Sequence, residues 1–150
     1  MKNQDAILER ASNLAFQKLE AAGGNIANLE EPHRTVALVF SAQGVIDNGG
    51  LIYFFESDWP GNPPYALFAD AYRRIGCAAA AHAILQAANS FGVLHPEQDQ
   101  AVRNAFMERF SQPDCHDIWE DPICGDEQVW AHLAKWIQER PSDSGAIRAS

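Results

Sequence analysis

The run VALVFSAQGVIDNGGLIYFF, from Val36 to Phe55, is the most apolar continuous segment of the chain, and a single Gly49-Gly50 pair interrupts it. A segment this poor in polar groups has to be buried, so the remaining residues must be able to wrap it. Before the glycines, Val36, Val39, Phe40 and Gln43 fall on one helical stripe, while Leu38, Ala42, Val45 and Ile46 fill the sides. A helix that is apolar nearly all round belongs in the middle of a small domain. Glu30, Glu31 and Pro32 fit its start, because proline needs no donor there and acids suit the positive end of the dipole. Asp47-Asn48-Gly49-Gly50 reads as its stop, since Asn and Gly tolerate the left-handed conformation that ends helices. Leu51 to Phe55 is either a buried strand or a short buried helix, which periodicity alone does not separate. Helix is the expectation, because no second strand-like run is present to pair with it.

The wrapping material is helical. Asp5 to Ala22 places Leu8, Ala11, Ala15, Leu19 and Ala22 on one stripe, and Gly23-Gly24 closes it. Ser57 to Pro64, with three prolines and a glycine, is a loop, and Trp59 is expected to pin it to the body. Tyr65 opens a helix through Leu67, Phe68, Ala71, Tyr72 and Ile75. The alanine-rich stretch Cys77 to Ala88 follows, with high helix propensity. Pro96 opens a further helix with Val102, Ala105, Phe106 and Phe110 as its expected core face. Residues 111–125 are irregular. Asp126 is the expected N-cap of a last helix whose stripe is Val129, Trp130, Leu133, Trp136 and Ile137. The expected fold is all-α, one compact domain of about six helices over residues 1–140, with a disordered tail at 141–150.

Composition narrows the partners. Among 150 residues there are 20 acids against 11 bases, a net charge of -9. That argues against direct binding of nucleic acid, which needs a basic footprint, and it fits either a basic protein partner or plain solubility. No signal-peptide core opens the chain, and no membrane span is expected, the threshold being roughly 18 apolar residues. Cys77, Cys115 and Cys124 make no disulfide framework, so the expected setting is the cytoplasm with reduced thiols.

Catalytic and metal chemistry find little support. Cys115, His116, Cys124 and His132 are zinc-type ligands, but no Cys-x-x-Cys pair anchors them, and no metal or other cofactor is expected. Cys77 at a helix start has the setting that lowers a thiol pKa, yet His82, five residues on, does not face it. Asp47-Asn48-Gly49-Gly50 lacks the Lys and Ser/Thr of a phosphate loop and reads as a helix-helix corner. The acids stand out more. Asp114, Asp117, Glu120, Asp121, Asp126 and Glu127 occupy a stretch without Lys or Arg, and Asp47, Glu56 and Asp58 flank the Phe54-Phe55 pair. They are either solvated caps and loops or an electronegative face that a DNA-binding protein takes for phosphates.

The segment around Asn48-Gly49-Gly50, with Phe54 and Phe55, then Ile75-Gly76 and the alanine-rich stretch from Cys77 to Ala88, resembles the bacterial DNA-mimic protein family (domain of unknown function 4375). The likeness covers about Val36 to Phe91, with a looser echo from Trp119 to Ile137. Leu51 replaces the phenylalanine of the family's signature, Tyr53 its glutamine and Cys77 an alanine. The shared residues Asn48, Gly49, Gly50, Phe54 and Phe55 form a packing signature rather than a binding site.

What the resemblance implies is an all-helical, non-enzymatic interaction domain that binds a basic DNA-binding protein and competes with DNA for it. Asp47, Glu56, Asp58, Asp114, Asp117, Glu120 and Asp121 would then supply phosphate-like charges. Two other readings stay open: a small hydrolase or ligand-binding domain with a pocket near Trp59, Tyr53 and His82, and a homodimerisation module acting through the Val129–Ile137 stripe.

Overall fold

A computed structural model describes residues 2–59, 61–109 and 122–139. Among these residues six α-helices run in chain order: α1 (Lys2–Ala21), α2 (His33–Glu56), α3 (Tyr65–Arg74), α4 (Ala78–Asn89), α5 (Gln100–Arg109) and α6 (Glu127–Gln138). Short 3-10 turns occupy Ile26–Asn28 and Pro96–Gln98, and no strand occurs among the described residues. The all-α expectation holds. The acids at 114, 117, 120 and 121, Cys115, His116, Phe110 and the expected tail all lie outside the described residues.

Helix α2 is the centre of the molecule, and α1, α3, α5 and α6 pack against it. Val36, Ala37, Leu38, Val39, Ala42 and Ile46 are all buried, so its first part is covered on almost every side. The helix is 24 residues long, with a mean hydropathy of 1.2 over its best window, enough by length and composition to cross a membrane. Its apolarity is accounted for by the helices that surround it. Glu31 supports its start: one carboxylate oxygen accepts from the Thr35 N–H, while Arg34 and Arg74 pair with the other, each at 3.2 Å.

The glycine pair does what its chemistry allows. Gly50 has φ 74° and ψ -169°, a region essentially reserved for glycine, and the helix kinks there before resuming at Leu51. Beyond the kink, Leu51, Phe54 and Phe55 are buried again. Phe54 meets Phe55, Trp59, Tyr65 and Phe68 with ring centroids 4.9–5.6 Å apart, and Phe55 meets Tyr65 and Phe91. Offset and edge-on aromatic pairs of this kind add roughly 0.5–1.5 kcal/mol each beyond their burial. Trp59 pins the loop as expected, its indole Nε1 donating to the Phe54 carbonyl at 3.2 Å.

The remaining helices follow their patterns with two corrections. Helix α1 buries Leu8, Ala11, Ala15 and Leu19, and Gly24 closes it by donating its N–H to the Leu19 carbonyl. Asp126 caps α6 by accepting from the Gln128 N–H, and Val129, Leu133, Trp136 and Ile137 are buried. Those four side chains are core, while Trp130 of the same stripe is only partly buried. The first correction concerns α5. Pro96 opens only a 3-10 turn, and the buried residues of α5 are Arg103 and Met107, while Ala105 is exposed. The second concerns Cys77, which is the N-cap residue of α4 and not its first helical residue.

Candidate functional site

Each predicted acid has a distinct position. Asp47, near the end of α2's first part, is a latch. Its Oδ1 accepts from Gln43 Nε2 at 2.7 Å and from the Gly125 N–H at 2.8 Å, and its Oδ2 accepts from Trp130 Nε1 at 3.1 Å. The same Gln43 is buried, donates to the Ile123 carbonyl and accepts from the Tyr72 hydroxyl at 2.9 Å. This network joins α2 to α3 and α6, and both carboxylate oxygens of the exposed Asp47 take part in it.

Asp58 is also engaged. Its carboxylate is 2.8 Å from Nη2 of Arg103, a side chain only 1% exposed. The guanidinium further donates to the Phe55 carbonyl at 2.8 Å, the Pro96 carbonyl at 2.8 Å and the Glu97 carbonyl at 3.0 Å. Helix α2 has no base in its own last turn, and Arg103 serves that negative end from another helix. Glu97 is buried nearby with His95 Nδ1 3.3 Å from its carboxylate. Burial pushes the Tyr65 phenol up to about 12, against the opposing pull of Arg103. Glu56 is exposed at the end of α2.

The three residues of the alternative pocket have separate settings. Tyr53 is half exposed and lies over Gly49, Trp59 is packed on Phe54 and Phe68, and His82 shares a hydrogen bond with Gln86 on the exposed face of α4. Cys77 has no sign of activation: burial, then the charge of Asp126, push its thiol up to about 11. His132 contacts the Ile75 carbonyl at 3.1 Å and packs beside Gly76. No group of metal-type ligands occurs among the described residues.

The structure does contain a groove of about 790 Å³ between α1 and α6, which sequence reasoning did not anticipate. Phe16, Phe40 and Trp130 line it, with Phe40 centred 6.1 Å from Phe16 and 5.2 Å from Trp130. Asp5, Glu9 and Glu127 line it as well, all three exposed, and no Lys or Arg is among the lining residues. Phe40 and Trp130 had been placed on apolar stripes, correctly, but both are only partly buried. A hint was available in the spacing of Asp5 and Glu9 along α1 beside Leu8.

An all-helical domain built on a kinked central helix, in a chain that is acidic overall, defines the class of protein. Within that class, residues 27–140 match the family model described as DMP19-like protein, and the chain belongs to that family. The match spans α2 to α6, including the kink, the aromatic hub and the Asp47 latch. No curated protein and no solved structure matches the chain.

Proposed function

We propose that this chain is a non-enzymatic protein-interaction domain that presents carboxylates to a DNA-binding protein and occupies that protein's DNA site. The observation that carries the reading is membership of the DMP19-like family together with a net charge of -9 on a rigid helical frame. Carboxylates held at fixed spacing offer a basic surface the same long-range attraction as phosphates, and so compete for it. Glu56 and the four acids Asp114, Asp117, Glu120 and Asp121 are the proposed charges. Asp47 and Asp58 join them, both being exposed, although their carboxylates also bond within the scaffold. On this reading the chain acts in the cytoplasm, where it meets such a protein.

The test is affinity capture from native lysate at low salt, with the wild-type chain beside a variant carrying Asp114→Asn, Asp117→Asn, Glu120→Gln and Asp121→Asn. Capture of a DNA-binding protein that duplex DNA displaces, and that the variant captures several-fold less well, is the expected result. Equal capture by the variant removes those four residues from the interface. Capture that duplex DNA leaves intact contradicts mimicry.

A further inference from the structure

The groove between α1 and α6 places aromatic rings beside carboxylates. Its aromatic side is built from three different helices: Phe16 from α1, Phe40 from α2 and Trp130 from α6. The Trp130 ring is held in place, since its indole N–H is bonded to Asp47 and Phe40 packs edge-on against it. Such a surface costs little to order on binding. Around it stand Asp5, Glu9 and Glu127, none of which makes an ion pair among the described residues. An aromatic face beside exposed carboxylates suits a guanidinium or ammonium carried on an apolar stem: the cation meets the ring face and the acids, and the stem covers apolar surface. The volume is in the range of sites that enclose a ligand-sized group, and the lining carries no positive charge to oppose one.

We propose that this groove is the docking site for a basic amphipathic segment of a partner protein, with an arginine or lysine side chain lodged between Trp130 and the carboxylates. The proposal rests on the reading of the chain as a protein-binding domain, and it adds a second, short-range contact to the long-range attraction of the acidic surface. The aromatic pocket supplies an anchor that charge alone does not, because desolvated aromatic and arginine contacts dominate interface energies whereas rim charges act mainly on encounter rates.

The probe is a capped twelve-residue peptide with leucine and arginine at helical spacing, titrated into the full chain and followed by backbone and indole ¹⁵N chemical shifts. The Trp130 indole signal is assigned from Trp130→Phe. Shifts clustered on Leu8, Phe16, Phe40, Ala131 and the Trp130 indole are expected. Asp5→Asn, Glu9→Gln and Glu127→Gln together are expected to weaken binding about tenfold, a loss typical of removing several attractive charges. A well-dispersed spectrum of that triple variant shows that it is folded.

Shifts elsewhere, an unchanged Kd in the triple variant, equal affinity for a peptide with glutamate in place of arginine, or equal affinity for spermidine would each overturn the proposal. The titration needs no natural partner, so its outcome is separable from the mimic reading. Peptide binding in a chain that captures no DNA-binding protein keeps the groove and removes the mimic reading. Capture at full strength by the triple variant keeps the mimic reading and removes the groove from the interface.

Discussion

Arg103 carries more structural responsibility than any other charged residue described. It is buried, it satisfies three backbone carbonyls, and it takes the Asp58 carboxylate as its counter-ion. The two halves of this ion pair are not equivalent. Asp58 is 55% exposed and can be rehydrated, whereas the carbonyls behind Arg103 cannot. Arg103→Met is therefore expected to cost on the order of 3 kcal/mol, the scale of stranding buried acceptors, while Asp58→Asn costs less, because asparagine keeps an acceptor oxygen and the three carbonyls still hold the guanidinium. Urea denaturation of both variants checks the ordering, and equal losses would contradict it.

Tyr65 and Cys77 make a residue-scale prediction about pH. Burial raises both groups, Tyr65 from 10.0 to about 12 and Cys77 from 9.0 to about 11. A group whose folded pKa is raised contributes stability that is complete below its unfolded pKa and is lost as pH rises toward the folded one. The urea midpoint is thus expected to fall between pH 9 and pH 12, with the Cys77 part of the loss setting in first. Cys77→Ala should flatten the early part of that decline. A midpoint that is level from pH 8.5 to 12 would contradict the burial of both groups.

At the scale of elements, the kink in α2 is the feature on which the packing turns. Gly50 sits at φ 74° and ψ -169°, so Gly50→Ala is strained whatever the space around it, at a cost of order 1–3 kcal/mol. Gly49 lies outside the left-handed region, but an added Cβ there would fall on the Tyr53 ring, its Cγ included, so the whole ring must shift. Gly49→Ala is therefore expected to lower the melting temperature as well, and a variant as stable as the wild type would contradict the close approach of Tyr53 to the kink. The elements were largely legible in the sequence. The apolar run required a buried centre, the Asp-Asn-Gly-Gly stretch marked its break, and the Gly-Gly and Asp126 boundaries of α1 and α6 were visible in turn and cap chemistry.

Helix α5 was legible as a helix, but its buried face was not, for a physical reason. Its burial is decided by one arginine reaching partners 45 and 48 residues away, Asp58 and Phe55, and no local period encodes that. The same holds for Asp47, whose partners Gly125 and Trp130 lie 78 and 83 residues on. A carboxylate in a polar turn looks solvated until the chain brings donors to it. The α1/α6 groove was hidden because Phe16, Phe40 and Trp130 each fit an apolar stripe, and only their convergence leaves part of each ring uncovered.

At the scale of the whole molecule, the central claim is that the chain and DNA exclude each other from one basic surface. Electrostatic attraction alone would allow an acidic domain to sit beside bound DNA, so mutual exclusion separates mimicry from simple charge pairing. The most direct measurement is fluorescence anisotropy of a labelled duplex bound to the captured DNA-binding protein, titrated with this chain at fixed salt. Anisotropy falling to the free-duplex value, with a midpoint that moves up in proportion to duplex concentration, is the expected result. A rise in anisotropy from a ternary complex, or a value that does not move at saturating chain, would contradict the claim.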